Sequence, residues 1–198
     1  MRVFVAGATG VLGRALLPQL TTAGHEVIGM ARTPERAALK MENIARSPYG
    51  PVCLLRIAAF LSADAWHTQQ SVLALKRGLL PIIGEGANYV SQIHAFAAAQ
   101  AVLCALANPD AAQGETFHVS DDEPAPMRDI FPYVAKLLHA PAPRHVSPFI
   151  ARTIVGACTV ELLTASYRMS NAKINRALGF TPRFPSYRES WQEVLREL

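Results

Sequence analysis

The sequence predicts a doubly wound α/β fold with a shortened parallel sheet and a small, mostly helical C-terminal lobe. The chain begins with an apolar strand at 3–6, a glycine-rich turn and a helix at 11–23, and a second strand follows at 26–30. Further apolar strands then alternate with segments of helical periodicity. Such alternation is typical of a parallel sheet with helices on its faces. We expect the strands at 3–6, 26–30 and 52–57 to lie parallel in one sheet.

The glycine-rich turn joins the first strand to the first helix and reads Gly7-Ala8-Thr9-Gly10-Val11-Leu12-Gly13. Glycines here let backbone N–H groups and the positive helix end approach a diphosphate, where side chains would block contact. The complete strand–turn–helix–strand context is the one that a dinucleotide motif requires. The alternative is that Gly10 and Gly13 serve only close packing of helix on strand. The predicted cofactor site consists of Gly7, Thr9, Gly10, Val11, Leu12 and Gly13.

Arg32 follows the second strand, where an acidic residue would hold a ribose 2′-OH and an arginine would hold a 2′-phosphate. Met30-Ala31-Arg32 offers no acid, and a guanidinium group suits phosphate geometrically. We therefore add Arg32 to the cofactor site and expect NADP, with NAD still open. The alternative is a surface arginine near a helix start.

The next elements follow from local patterns. Thr33-Pro34 opens a helix that runs to about 46, with threonine at the cap and proline at the first helical position. The nearly continuous apolar run at 52–57 predicts a strand covered on both faces. Shorter strands are expected at 81–86, 89–93 and 115–119, and helices at 64–78, 94–107, 126–139, 148–164, 171–178 and 186–198. We place a dinucleotide-binding core at 1–120 and a substrate-type lobe at 121–198.

Composition narrows the function classes. The 198 residues are 51% hydrophobic with a net charge of +4 and scattered basic residues, which disfavours nucleic-acid binding. The apolar stretch at 149–163 is interrupted by Arg152 and Glu161 and is shorter than the roughly 20 residues of a membrane span. It predicts a buried or docking helix. Three cysteines without CxxC spacing, and no signal peptide, lead us to expect a cytoplasmic protein with reduced thiols.

Four segments together resemble NAD(P)-dependent epimerase/dehydratase-like proteins of the extended short-chain dehydrogenase/reductase superfamily. They are VAGATGVLG at 5–13, RGLLPIIGEGANYVSQIHAFAAAQAVLCAL at 77–106, GETFHVSDDEPAPMRDI at 114–130 and SNAKINRALGFTPRFPSYRESW at 170–191. The resemblance implies a Rossmann-type core, a nicotinamide cofactor and an unidentified small-molecule substrate. No metal is implied.

The central part of the chain departs from this family. Only one helix stands between Arg32 and Val52, where the resemblance would place at least two further strands with their helices. The missing block would carry half of the cofactor cleft. An apolar strand edge near 52–57 or 27–30 would then be exposed, so we expect self-association to be favoured.

The catalytic pair that the resemblance implies is a tyrosine whose acidity is raised by a lysine four residues later. The chain has five tyrosines, Tyr49, Tyr89, Tyr133, Tyr167 and Tyr187, and the residues four positions on are Cys53, Ile93, Leu137, Asn171 and Trp191. None is lysine, so the catalytic residues stay unknown. Tyr133 and Lys136 could touch across one helical turn, with a solvated pair as the alternative.

Other chemistries have less support in the sequence. There is no GxSxG turn, and the six histidines show no HxH or HExxH spacing. We interpret His94 as a hydrogen-bonded structural residue and Asp121-Asp122-Glu123 as a solvated loop. Two functions remain: an NADP-preferring oxidoreductase or epimerase, and a catalytically inactive dinucleotide-binding protein such as a redox sensor or truncated remnant. Fold analogy alone cannot choose between them.

Overall fold

Strands and helices alternate along most of the chain. The computed structural model describes residues 2–6, 10–24, 26–30 and 53–198. Its strands are β1 (Arg2–Ala6), β2 (Glu26–Met30), β3 (Leu54–Ile57), β4 (Ala59–Leu61), β5 (Ile82–Ile83), β6 (Tyr89–Val90), β7 (Gln92–His94), β8 (Thr116–Val119), β9 (Ala125–Pro126) and β10 (His145–Val146). Its helices are α1 (Val11–Thr22), α2 (Trp66–Lys76), α3 (Ala95–Ala107), α4 (Pro109–Ala112), α5 (Met127–Leu137), α6 (Pro148–Val155), α7 (Ala157–Thr164), α8 (Ala172–Leu178) and α9 (Tyr187–Glu197).

Most strand pairs are parallel, as the sequence predicts. The parallel ladders join β1 to β2, β3 to β8, β4 to β7 and β5 to β10, while β6 and β9 pair antiparallel. Parallel neighbours need a crossover connection, and α1 supplies it between β1 and β2. The predicted α/β class with parallel strands and a mostly helical C-terminal part is therefore confirmed.

We expected the strands at 3–6, 26–30 and 52–57 to lie parallel in one sheet, and the described ladders do not join all three. β3 pairs with β8, with Leu54 opposite Thr116, and within the described ranges no ladder joins β3 to β1 or β2. The pairing of β3 with β8 depends on packing between segments about 60 residues apart, which local sequence patterns do not record. The predicted helix at 33–46 lies outside the described residues, and self-association through a strand edge stays a prediction.

Three hydrophobic clusters hold the elements together. The first joins β3, β8, α3 and α8 around Phe117 and Ile174, and the second joins α2, α5 and α9 around Ile130 and Trp191. The third packs α1 on the alanine-rich face of α3 through Leu16. The first two clusters draw residues from both sides of position 120. The division at that position stays a prediction.

The helix predicted at 148–164 is two helices. Gly156 has φ of 86°, a conformation that side chains disfavour, and it separates α6 from α7. The two helices are not buried as one interpretation held, since Phe149 is 78% exposed and Cys158 also lies at the surface. No helix within the described ranges is long and apolar enough to span a membrane.

Candidate functional site

The first turn of α1 presents unpaired backbone donors. Its N-cap, Gly10, has extended backbone (φ −74°, ψ 170°) and makes no side-chain cap, and no acidic residue lies in the turn. The first intrahelical bond runs from the Arg14 N–H to the Gly10 carbonyl at 2.9 Å. Helix geometry therefore leaves the N–H groups of Val11, Leu12 and Gly13 without a helical acceptor, at the positive end of the helix dipole. This arrangement can bind an anionic group through the main chain.

The described part of the predicted cofactor site fits that use of the backbone. Gly10 is exposed, whereas Gly13 is buried within α1. The Leu12 side chain packs against the first and third clusters, so only its main chain is left for a ligand. The remaining predicted residues, Gly7, Thr9 and Arg32, lie outside the described residues.

An ion pair connects this turn to the loop after β4. The Asp64 carboxylate accepts hydrogen bonds from the Arg14 guanidinium and the Ser62 hydroxyl. Burial alone would raise the pKa of Asp64, but these hydrogen bonds and the Arg14 charge outweigh burial and lower that pKa. Because both partners are partly exposed, the pair contributes little to stability. Its importance is geometric, since it brings the start of α1 to the end of β4.

A cavity of about 660 Å³ begins at β4. Its wall combines β4 and β5 with residues of α2, α5, α6, α7 and α9, and includes Phe60, Ile82, Phe131 and Trp191. β4 thus lines the cavity, and the loop that directly follows β4 contacts α1. The first turn of α1 and the cavity are therefore linked through this loop.

His94 has a structural role, as the sequence interpretation holds. It caps α3, because its Nδ1 accepts a hydrogen bond from the Phe96 N–H at 3.3 Å. The ring is buried and meets Phe184 edge-on at 4.6 Å. Burial is the largest influence and lowers the pKa of His94. A neutral ring that accepts at Nδ1 carries its proton on Nε2, which has no partner among the described residues.

Tyr133 is engaged between helices rather than set up for catalysis. Its hydroxyl accepts a hydrogen bond from the Gln192 amide at 2.8 Å, and its ring meets Tyr187 edge-on at 5.6 Å. Lys136, one turn further along α5, is exposed. These contacts fasten α9 to α5, and they favour the structural reading of Tyr133.

Asp121 is the residue that sequence reasoning placed wrongly. Asp122 and Glu123 are exposed as expected of a solvated loop, but Asp121 is buried and neither carboxyl oxygen has a hydrogen-bond partner among the described residues. Burial, and then repulsion from Asp122 and Glu123, raise the pKa of Asp121 to about 8. Its N–H donates to the carbonyl of Gln92, a cavity-wall residue, at 2.9 Å. No pattern in the sequence distinguishes Asp121 from its acidic neighbours.

Within the described ranges, no three His, Cys, Asp or Glu side chains cluster as a metal site.

Comparisons with known proteins agree with this geometry. The NAD dependent epimerase/dehydratase family matches residues 3–68, which include the glycine-rich turn and the Asp64 loop. A 3-diazoavenalumate denitrifying reductase from a Streptomyces species is 30% identical over 156 residues, 78% of this chain and 50% of that protein. The chain thus spans about half the length of this curated relative.

Solved structures share the fold at low identity. The human epimerase family protein SDR39U1 (isoform 2), crystallised with NADPH, superposes with a TM-score of 0.82 at 15% identity over 100% of both chains. UDP-glucose 4-epimerase of Thermotoga maritima, crystallised with UDP-glucose, gives 0.74 at 12% identity over 100% of this chain and 99% of that chain. The predicted resemblance is confirmed: residues 3–68 match the NAD dependent epimerase/dehydratase family, and the chain shares the fold of these solved structures.

Proposed function

We propose that this chain binds NADP(H) at the start of α1 and acts as an epimerase/dehydratase-like oxidoreductase on a small molecule held in the adjacent cavity. The observation that carries the proposal is the uncapped first turn of α1 between two parallel strands. Its main-chain N–H groups from Val11 to Gly13 have no helical acceptor. A diphosphate would supply acceptors and negative charge at that helix end. Bound NADP(H) would supply a hydride donor or acceptor.

The preference for NADP over NAD rests on Arg32. An arginine after the second strand offers two parallel N–H donors to a ribose 2′-phosphate. The NADPH in the human epimerase family protein supports this preference without deciding it for this chain. The cavity beside β4 would hold the substrate, since it adjoins the loop that contacts α1.

Gly10→Val tests the cofactor site. The φ of −74° at Gly10 suits any residue, so the fold should survive, while a branched side chain would stand where the diphosphate must approach. We expect NADPH affinity to fall at least about 100-fold, as measured by the fluorescence of bound NADPH. Thr22→Val places the same side chain at the opposite end of α1 and should leave affinity unchanged. Equal affinity for the two variants would refute the proposed site.

Arg32→Asp tests the cofactor preference. Only NADPH carries the 2′-phosphate, so the variant should lose more affinity for NADPH than for NADH, and NADH serves as the internal control. The expected selective loss is about tenfold or more. Equal losses for both cofactors would show that Arg32 does not read the 2′-phosphate.

A second candidate function is a dinucleotide-binding protein without turnover. The observation that favours it is the absence of a lysine four residues after any of the five tyrosines. In this case NADPH binds as above, but no carbonyl compound is reduced. Binding and turnover measurements on the same sample separate the two candidates.

A further inference from the structure

A nucleoside-diphosphate sugar needs positively charged groups near its phosphates, and the described wall of the cavity beside β4 offers none. Resting on the proposed function, we propose that this cavity binds an uncharged, mainly apolar compound of about two fused rings, and not a nucleoside-diphosphate sugar. The charge of the wall, its polar groups, and the size and entrance of the cavity favour this class of ligand.

The described part of the cavity wall has no charged side chain. Among the described residues that line the cavity, none is Lys, Arg, Asp or Glu. Diphosphates are held in proteins by arginine, lysine or helix N-termini, because an uncompensated buried charge is costly. The nearby start of α1 is the helix end already assigned to the cofactor. A diphosphate inside this cavity would therefore lose water without gaining a cation.

Several polar side chains of the wall are occupied by backbone groups. His67 Nε2 lies 2.6 Å from the Phe60 carbonyl oxygen, and the Ser71 hydroxyl donates to the His67 carbonyl at 2.8 Å. The Asn88 amide donates to the Leu163 carbonyl at 3.0 Å. These bonds occupy three polar groups of the wall, while Thr68 Oγ1, Gln92 Oε1 and Trp191 Nε1 have no hydrogen-bond partner among the described residues and are the few polar atoms left for a ligand. The surface left for a ligand is mainly that of aliphatic and aromatic side chains, including Phe60, Phe131 and Trp191.

The size and entrance of the cavity also fit an apolar ring compound. A volume of about 660 Å³ lies within the roughly 300–1,000 Å³ of small-molecule pockets. Three lining residues, from a loop and from α6 and α7, leave large apolar side chains in water: Leu79 is 69% exposed, Ile154 74% and Leu162 73%. A ligand that covers them removes apolar surface from water, which favours binding. Aromatic walls add favourable contacts with a flat ring system.

Isothermal titration calorimetry of the purified chain tests the ligand class without requiring turnover. The probes are 2-acetonaphthone, a neutral two-ring ketone, and UDP-glucose. We expect saturable binding of 2-acetonaphthone at least about tenfold tighter than that of UDP-glucose. Tighter binding of UDP-glucose, or no binding of 2-acetonaphthone, would overturn the proposal.

Two pairs of variants locate the binding. Ala59→Phe fills the cavity from an exposed position on β4, and Ala172→Phe adds the same ring at an exposed position outside the cavity. The first should weaken 2-acetonaphthone binding about tenfold and the second by less than about twofold. Leu162→Glu at the entrance should weaken it severalfold, unlike Ile150→Glu, which changes a residue outside the lining. Equal effects within both pairs would overturn the proposal.

The cofactor proposal and the ligand-class proposal can fail independently of each other. If 2-acetonaphthone binds with the expected variant pattern and NADPH does not bind, the ligand class stands and the cofactor proposal falls. If NADPH binds and UDP-glucose binds better than 2-acetonaphthone, the cofactor proposal stands and the ligand class falls.

Discussion

The start of α1 and the cavity beside β4 present opposite kinds of surface to a ligand. The start of α1 consists of consecutive residues around Gly10. It has no side-chain cap, so its main-chain N–H groups can donate to a negatively charged group. The cavity is made of side chains from residues 59–191 and carries no charge on its described lining residues. The first kind of site lies within one short segment of the chain. The tyrosine–lysine pair that the resemblance implies also lies within one helical turn, and none of the five tyrosines is followed by a lysine four residues later.

The largest expected effect concerns turnover. Without a tyrosine–lysine pair, the chain should lose the roughly 10²–10⁴-fold that general acid catalysis contributes. We therefore expect NADPH consumption with a panel of aldehydes and ketones to be slow or undetectable while NADPH still binds. The assay is NADPH absorbance with purified protein of confirmed length.

Two variants sharpen that expectation. Tyr133→Phe removes a hydroxyl that accepts from Gln192, and Lys136→Ala removes an exposed amine. Neither should change any residual rate. Robust turnover that survives both changes would show that an unrecognised catalytic group exists, and our expectation of cofactor binding without efficient turnover would be wrong.

Local patterns predicted much of the fold. The strand at 26–30 is found as predicted, and α1 ends one residue before its expected end. Caps and glycines act within a few residues, so their effects can be read from the sequence. Gly156 shows the limit, since a glycine inside an apolar helical pattern was passed over and it breaks the helix. The pairing of β3 with β8 depends on contacts between distant segments, which periodicity does not record.

The candidate site divides in the same way. The turn at 7–13 could be proposed from the sequence because its residues are consecutive. The cavity and the burial of Asp121 were not found, because each depends on how β7, β8 and the helices pack. Asp121 belongs to an acidic run whose other members, Asp122 and Glu123, are exposed, yet Asp121 itself is buried.

The next prediction, of intermediate size, concerns how stability depends on pH through the buried Asp121, whose N–H donates to the cavity-wall residue Gln92. A carboxyl with a pKa of about 8 in the folded protein and an ordinary pKa near 3.8 when unfolded binds more protons when folded. Stability therefore falls as the pH rises from about 4 to 8, by on the order of 5 kcal/mol if Asp121 acted alone. Asp121→Asn should remove most of that fall.

The measurement is the free energy of unfolding by urea at several pH values between 4 and 8. Asp110→Asn, which changes an exposed acid on α4, is the control and should keep the slope of the natural sequence. The assignment is wrong if Asp121→Asn and the unchanged protein show the same slope.

The smallest expected effect compares helix caps. Ser186 caps α9 in a capping box: its hydroxyl accepts from the Arg188 N–H at 3.1 Å, and the Glu189 carboxylate accepts from the Ser186 N–H at 3.1 Å. Ser186→Ala removes the hydroxyl that accepts from the Arg188 N–H, so it should cost about 1 kcal/mol of unfolding free energy. The helix that it caps, α9, also places Trp191 in the cavity wall. Ser147→Ala, at the exposed cap of α6, should cost less. Urea unfolding that ranks them in reverse would contradict this reading.

The central claim is that main-chain N–H groups at the start of α1 hold the dinucleotide. Amide ¹H–¹⁵N spectra of the labelled chain, recorded during titration with NADPH, test it most directly. The account predicts saturable shifts of the Val11, Leu12 and Gly13 resonances, with the amide of Thr22 unmoved at the other end of the helix. Saturable shifts confined to other parts of the chain, with those three resonances unchanged, would contradict it.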